Sequence, residues 1–187
     1  MLDMKDEWNI LQILRHSRHD WLNVIQLIKG NLALKKYDRI EEIIQEVVNQ
    51  TQNESKLSNL KIPNFANEFL VFNWENGNHF KLDYEVIGNC QNLYIYEKSL
   101  LTWFQRFTEV LNGSCEQFGE NHLQVSIELL EEEAPRFTFD FHGTLTGVEK
   151  VNNFVENENN WNEQLKLVES YISKDEFYIT FELEAKR

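Results

Sequence analysis

Residues 11–32, LQILRHSRHDWLNVIQLIKGNL, determine the organisation of the N-terminal part of the chain. The apolar residues of this stretch recur in alternating steps of three and four, with Arg18 at the one polar step; they are Leu11, Leu14, Trp21, Ile25, Ile28 and Leu32. This spacing is a heptad seam along one side of a helix. It predicts a single long helix over about residues 5–34, and a single helix cannot bury its own seam.

A second helix is predicted after a short polar connection. Asp38 is a suitable N-cap, and Glu41 and Glu42 fall in the first turn, where the helix dipole favours acids. The apolar stripe is Ile40, Ile43, Ile44, Val47 and Val48, and Pro63 ends the helix. The short connection makes the two helices antiparallel. Because two helices bury too little surface, we expect a homodimer in which two hairpins form a four-helix bundle.

Beyond Pro63 the apolar period changes from helical to strand-like. Alternation of apolar and polar residues predicts strands over residues 80–86, 123–129, 137–141 and 177–183. Amphipathic helical patterns lie between them, over residues 100–118 and, less regularly, 148–172. The predicted fold is therefore α+β: a helical hairpin over residues 1–62, then an α/β sandwich over residues 63–187 whose helices cover one face of an antiparallel or mixed sheet.

Charge divides the chain in the same way. The net charge is -13; residues 1–62 carry nine basic and nine acidic residues, whereas residues 63–187 carry nine and twenty-two. Such an acidic surface disfavours binding to nucleic acid or anionic lipid, because both are bound through Lys and Arg.

No apolar run approaches the roughly 20 residues that cross a bilayer, and the two cysteines lack metal or redox spacing, so we expect a cytoplasmic protein.

A polar stripe on the first helix is the candidate site. Its residues lie three or four apart beside the seam: Gln12, Arg15, His16, His19, Asn23 and Gln26. His19 is predicted to face solvent. A neutral imidazole suits reversible phosphoryl carriage because its unperturbed pKa is about 6.5, and Arg15 and Arg18 are placed to neutralise phosphoryl oxygens.

Three points stay open at this stage. A histidine on a helix is usually an ordinary surface residue, and His16 competes with His19 as the acceptor. Asp20 follows His19 directly and lies about 100° round the helix, so its role is not fixed by spacing.

A family resemblance bears on which histidine is the acceptor. The segments HSRHDWLN (16–23), QLIKGNL (26–32), KKYDR (35–39), ESKLSNLK (54–61) and FNW (72–74) resemble the sporulation initiation phosphotransferase B family of endospore-forming bacteria. Beyond Pro63 the resemblance weakens to the strand pattern and fragments such as ENHL (120–123) and DFHG (140–143). The hairpin carries nearly all of its specificity.

The resemblance implies a phosphorelay protein. The phosphorylated histidine of the family precedes Asp-Trp, which places the acceptor at His19, with Gln12, Arg15, Arg18, Asp20, Asn23 and Gln26 as supporting or partner-binding candidates. It also implies a dimeric four-helix bundle carrying a degenerate kinase-like domain. A phosphoryl group would pass from the aspartate of a single-domain response regulator to His19, and then to a DNA-binding response regulator that controls sporulation. Magnesium belongs to the regulators, so no metal or cofactor is expected in this chain.

Two alternatives remain. An ATP-dependent sensor histidine kinase needs an Asn-rich helix and glycine-rich loops. The corresponding segments here read EVLNGSC (109–115) and DFHGT (140–144), and the seven glycines include no Gly-x-Gly. The other alternative is a non-catalytic dimeric adaptor. A metal enzyme is disfavoured because His79, His122 and His142 lack ligand spacing.

Overall fold

The computed structural model describes residues 10–75 and 77–184, and it begins with two helices. Helix α1 spans Ile10–Ala33 and helix α2 spans Tyr37–Asn59. The connection closes through hydrogen bonds from Leu34 N to Gly30 O (3.2 Å) and from Lys36 N to Asn31 O (2.9 Å), with Lys35 at φ 58°. The predicted helical hairpin is therefore confirmed. Residues 5–9 of the longer predicted first helix lie outside the described residues.

The hairpin has two apolar sides that differ in exposure. One side is half-buried at Ile13, Val24 and Ile28 of α1, and α2 contributes the buried Ile43. The other side holds most of the predicted seam and is at least half exposed at Leu11, Leu14, Trp21, Ile25 and Leu32. Ile44 of α2 is 49% exposed as well. A single copy of the chain thus leaves an apolar surface uncovered, as the seam predicted.

The ends of α2 differ from the prediction. The helix already begins at Tyr37, so Asp38 lies in its first turn and is not the N-cap. The helix ends at Asn59, and Pro63 is a first-turn residue of a further helix, α3 (Pro63–Val71), where its missing N–H costs nothing. Lys61, at φ 62°, makes the turn between them.

The last turns of α2 belong to the second half of the molecule. By their internal packing, the described residues up to Gln52 and those from Asn53 form two compact units. Leu57 and Leu60 are fully buried in the second unit. Asn53 Oδ1 accepts from Val86 N (3.2 Å) and Lys56 Nζ donates to Val86 O (2.8 Å). The division predicted between residues 62 and 63 stays a prediction, since one helix continues through both units.

The second unit is built on a five-stranded mixed sheet. Its strands are β1 (Lys81–Gly88), β2 (His122–Leu129), β3 (Arg136–His142), β4 (Leu165–Ile172) and β5 (Glu176–Leu183). They are ordered β1-β2-β3-β5-β4, with β1 and β2 parallel and the other neighbours antiparallel. Helices α3, α4 (Glu97–Asn112) and α5 (Val148–Glu156) supply the rest of the core, and short 3₁₀ turns lie at Phe72–Trp74, Tyr94–Tyr96 and Glu158–Asn160. The predicted α+β class is confirmed.

Aromatic rings fill the space between helices and sheet. Trp103 of α4 lies 4.9 Å from Phe139 and 4.8 Å from Phe181, and Phe107 lies 5.4 Å from Phe139, measured between ring centroids. Phe65 of α3 meets Phe137 edge to face at 6.0 Å. Apolar alternation in β2, β3 and β5 therefore points at one face, and the four predicted strands are all present.

Two predicted helical regions are shorter than the pattern indicated. The helical pattern over residues 148–172 forms a helix only up to Glu156, where α5 ends. Leu165–Ile172, in the same predicted region, is strand β4. A bulge between Leu167 and Glu169 breaks the two-residue alternation that would have revealed this strand. Helix α4 stops at Asn112, so Cys115 pairs with Leu145 in a bridge and Phe118 is 93% exposed.

Candidate functional site

His19 lies near the middle of α1, on the exposed polar stripe. Leu14, Arg15, Arg18 and Leu22, which have good helix propensity, lie on either side of it, and no proline interrupts the helix. Its side chain is 72% exposed. The predicted orientation toward solvent is thus found in the isolated chain, and an incoming group has access to the ring.

Two polar side chains converge on one nitrogen of the imidazole. Asn23 Nδ2 lies 3.2 Å from His19 Nδ1, one helical turn on, and Asp20 Oδ1 lies 3.4 Å from the same nitrogen. Although Asp20 lies about 100° round the helix from His19, its side chain therefore bends back far enough to approach the ring. Nε2 of His19 has no hydrogen bond to any residue within 10–75 or 77–184. One nitrogen is oriented and the other is open.

The remaining predicted residues lie on the same helix and make no hydrogen bond to the ring. Arg18 donates from Nε to Leu14 O (3.2 Å), along its own helix. Arg15 and Gln26 are exposed, as is Gln12, and none of the hydrogen bonds found at His19 involves them. His16 differs from His19 in being half-buried. The structure therefore brings together His19, Asp20 and Asn23, with the other residues as neighbours on the same helix.

The other histidines have partners of their own. His79 Nδ1 lies 3.0 Å from Asn112 O, His122 Nε2 lies 2.7 Å from Asp83 Oδ2, and His142 Nε2 lies 3.4 Å from Asp140 Oδ1. Burial alone would raise the pKa of Asp83, but hydrogen bonds from His122 and Lys81 outweigh it and hold that pKa below its ordinary value. Within residues 10–75 and 77–184, no group of His, Cys, Asp and Glu side chains is arranged to hold a metal ion.

Residues 114–116, after α4, and residues 144–147 are joined by direct hydrogen bonds. Ser114, fully buried after α4, accepts at its carbonyl oxygen from Thr146 N (2.8 Å) and Gly147 N (3.1 Å). Glu116 N donates to Thr144 O (2.9 Å). A Cβ on Gly147 would lie 3.0 Å from Ser114 Oγ. The stretches that the sequence compares with kinase nucleotide motifs, residues 109–115 and 140–144, are therefore linked to each other at this point.

Asn112 and Asp140, the polar residues of segments 109–115 and 140–144, have structural surroundings of their own. Asn112 accepts from His79 N at Oδ1 (2.6 Å) and donates from Nδ2 to Gly77 O (3.0 Å). Asp140 is 50% exposed between the fully buried Phe139 and Phe141, which confirms the prediction that it points away from the core. Asn112 thus holds backbone groups of residues 77–79, and Asp140 lies on the exposed face of β3 near His142.

Asn121 holds the same end of the domain together and was not singled out from the sequence. Its amide donates to His79 O and Glu116 O at 2.8 Å each, and its Oδ1 accepts from Thr144 N at 2.8 Å. It is 5% exposed. Glu116 is five residues away, but His79 and Thr144 are 42 and 23 residues away, so no local spacing marks Asn121.

Family models match almost the whole described chain. Residues 3–60 match the model for the sensor kinase SpoOB-type alpha-helical domain, and residues 61–184 match that for the C-terminal domain of sporulation initiation phospho-transferase B. The chain belongs to the sporulation initiation phosphotransferase B family. It is also 42% identical over 135 residues to sporulation initiation phosphotransferase B of Bacillus subtilis (strain 168), covering 72% of this chain and 70% of that protein.

The chain also matches a solved histidine-kinase structure at low sequence identity. The Erythrobacter litoralis EL346 blue-light activated histidine kinase matches with a TM-score of 0.43 and 11% identity, over 96% of this chain and 61% of that one. The assignment of this chain to the sporulation initiation phosphotransferase B family rests on the family models and on the Bacillus relative. No helix within residues 10–75 or 77–184 combines the length and apolarity needed to span a membrane.

Proposed function

We propose that this chain is a phosphorelay phosphotransferase that carries a phosphoryl group on His19 between the aspartates of two response regulators. The observation that carries the proposal is the exposed imidazole whose Nδ1 is held by Asp20 and Asn23 while Nε2 stays open. The donor would be a single-domain regulator and the acceptor a DNA-binding regulator of sporulation. Family membership supports this place in a sporulation phosphorelay.

The chemistry follows from the two nitrogens. With its proton on Nδ1, next to the Asp20 carboxylate, the neutral ring has its lone pair on Nε2. This lone pair attacks the phosphorus of the donor's aspartyl phosphate. The bond between phosphorus and the aspartyl oxygen breaks, and the donor's carboxylate leaves with the electron pair. The ring becomes a phosphorylated imidazolium with its proton still on Nδ1.

Asp20 is suited to stabilise that cation. The ring gains one positive charge as the N–P bond forms, and the carboxylate oxygen lies 3.4 Å from the protonated nitrogen. In the second step the acceptor's aspartate attacks phosphorus, the N–P bond breaks, and Nε2 recovers its lone pair. Asn23 contributes orientation: after rotation of its amide, Oδ1 also accepts from Nδ1–H. The exposed Arg15 and Arg18 are available to phosphoryl oxygens.

We further propose that the chain is not an ATP-dependent kinase. Hydrogen bonds between Ser114 and residues 146–147, the structural use of Asn112, and the outward Asp140 support this view. A kinase would need those groups to line a nucleotide cleft. Magnesium would then be supplied in the regulators' own acidic sites, and the chain would need no cofactor.

We propose a homodimer through the exposed seam of α1. Trp21, Ile25 and Ile44 are each about half exposed in one copy of the chain, on helices long enough for bundle packing. Pairing two hairpins through this side would form a four-helix bundle. The stripe with His19 would then stay on its outside, where a regulator can reach it.

The deciding experiment compares phosphoryl donors. Purified chain is incubated with a pre-phosphorylated single-domain regulator or with ATP and Mg²⁺ alone, beside the His19→Gln variant. The proposal expects label from the regulator on wild type, none on His19→Gln and none from ATP. Labelling from ATP alone would show a kinase, and labelling from neither donor would leave a non-catalytic adaptor.

A further inference from the structure

The two edges of the five-stranded sheet differ in how their backbone groups are used. The strand order places β1 at one edge and β4 at the other. On β1, the side chain of Asn73 binds both backbone groups of Leu82, accepting from its N (2.9 Å) and donating to its O (2.6 Å). Val86 is bound in a similar way, by Asn53 at its N and by Lys56 at its O. Side chains of the chain itself therefore occupy the β1 edge at both residues.

The β4 edge lacks such partners. In an antiparallel pair, residues bonded to the neighbouring strand alternate with residues whose N–H and C=O point away from it. Ser173 N donates to Glu176 O (2.8 Å) where β4 turns into β5, and the register runs regularly back from there to the bulge. Counting back by two, Tyr171 faces β5, so the backbone groups of Ser170 and Ile172 face outward. In the part of the chain that the structure describes, those groups have no hydrogen-bond partner.

This half of β4 is also exposed on both faces. The bulge lies between Leu167 and Glu169, and beyond it residues 168–171 are all exposed. Val168 is 47% exposed and Tyr171 is 49% exposed, so the helices that cover the rest of the sheet do not cover this part. An edge strand with exposed apolar side chains and unpaired backbone groups is a template for pairing with a further strand.

The β4 edge is held in shape before any partner arrives. Tyr171 stacks on Tyr178 of β5, with 5.9 Å between the ring centroids. At the hairpin turn, the carbonyl oxygen of Lys174 accepts from Leu145 N (2.8 Å), which ties the end of the hairpin to the segment before α5. A strand that is already fixed lowers the entropic cost of adding another strand to it.

We propose that the β4 edge binds an extended segment of a partner protein in which basic and apolar residues alternate. The backbone of this segment would pair with Ser170 and Ile172, as in other cases of strand addition. Glu169 and Tyr171 lie on one face of β4, so basic side chains of the added strand would lie beside a carboxylate and an aromatic ring. Its apolar side chains would lie on the other face, beside Ile172. The inference does not involve His19 and is independent of the proposed phosphotransfer.

Charge favours a basic partner over a second copy of the chain at this edge. Residues 63–187 carry nine basic and twenty-two acidic residues, so two copies of this domain repel each other. The one basic residue of β4, Lys166, is already paired with Glu184 (2.8 Å). An added strand with positive charge would instead be attracted to the domain.

The test measures solvent exchange of backbone amide hydrogens by NMR in the ¹⁵N-labelled full chain. The probe is a short capped peptide of alternating arginine and valine. Amide hydrogens that pair with the added strand exchange more slowly, so exchange at Ser170 and Ile172 should slow about tenfold when the peptide is at about ten times its Kd. Leu82 and Val86, on the occupied β1 edge, should not change.

Two control peptides separate strand addition from general attraction to an acidic protein. The same peptide methylated on all its backbone nitrogens keeps its charge but cannot donate to the edge, and it should give no protection. A peptide of alternating glutamate and valine can form a strand but carries the wrong charge, and it should bind more weakly than the arginine peptide.

A pair of variants tests the position of the charge. Glu169→Gln should weaken binding of the arginine peptide about twofold to fivefold, because it removes one cross-strand charge pair. Glu85→Gln, at an exposed residue of β1, should bind as wild type. The inference is overturned if Ser170 and Ile172 gain no saturable protection, if either control peptide protects them equally, or if the two variants bind alike. Protection that rises with protein concentration in the absence of peptide would overturn it as well, by showing a second copy at the edge.

Discussion

The side-chain amide of Asn23 lies 3.2 Å from Nδ1 of His19, the ring nitrogen that Asp20 also approaches. Both neighbours act on one nitrogen, so the ring can be fixed in a single orientation while the other nitrogen faces outward. The arrangement uses only three residues of one helix, at positions one and four beyond the histidine. A single helix thereby supplies the nucleophile and the groups that orient it.

Loss of the Asp20 carboxylate should slow phosphoryl transfer more than loss of the Asn23 amide. Asp20→Asn removes the charge next to the imidazolium, and we expect the single-turnover rate of transfer from a phosphorylated regulator to fall about tenfold to a hundredfold. Asn23→Ala should cost less, because only orientation is lost. The measurement is quenched-flow transfer at several pH values. Asp20→Asn at the wild-type rate across that pH range would refute the role given to Asp20.

Charge placed in the exposed seam should separate the dimer. Ile25→Glu would put a carboxylate into an apolar contact that each copy presents to the other, so we expect a monomer in analytical ultracentrifugation. Gln26→Glu adds the same charge at the next residue, on the polar stripe, and should stay dimeric. Equal masses for the two variants would show that the seam is not the contact between copies.

Truncation of Asn121 should destabilise the second unit. Its side chain joins three backbone groups that would be left unsatisfied in Asn121→Ala, and we expect a loss of about 2–4 kcal/mol in the free energy of unfolding. Asn89→Ala, at an exposed residue with one long hydrogen bond to Glu131, should change stability by less than about 0.5 kcal/mol. Urea unfolding followed by tryptophan fluorescence distinguishes the two. Similar losses in both variants would contradict the role of Asn121.

The two cysteines should differ in reactivity. Burial raises the pKa of the Cys115 thiol to about 12, whereas Cys90 is exposed. Because the thiolate is the reactive form, a thiol reagent at pH 8 should modify Cys90 quickly and Cys115 only after unfolding. In native Cys90→Ser we therefore expect no fast reaction. Rapid modification of that variant would show that Cys115 is accessible.

The hairpin was predictable because its signal is long and local. Steps of three and four from Leu11 to Leu32 identify both the helix and the side that a single copy leaves exposed. The strands of the core were equally clear where residues alternate strictly, as in Phe137, Phe139 and Phe141. Strand β4 was missed because its bulge at Leu167 and Glu169 breaks that alternation, and its exposed Val168 and Tyr171 resemble a helix face.

The site was predictable only in part. Spacing places Asn23 one turn from His19, but it left the role of Asp20 open, and only the side-chain geometry shows that the carboxylate lies near Nδ1. The link between the end of α4 and the start of α5 depends on hydrogen bonds between Ser114 and residues 146–147, which are distant in sequence. No local pattern predicts such contacts, because they depend on how the loops meet in the folded domain.

The most direct test of the central claim is to locate the phosphoryl group. After transfer from a phosphorylated single-domain regulator, the chain is digested with trypsin at alkaline pH, where phosphohistidine survives. Cleavage after Arg15, Arg18 and Lys29 separates His16 from His19 onto different peptides, which mass spectrometry distinguishes. We predict the phosphoryl group on the peptide that begins at His19, and its loss when the second regulator is added. Phosphorylation of the His16 peptide, or a label that the second regulator cannot remove, would contradict the account.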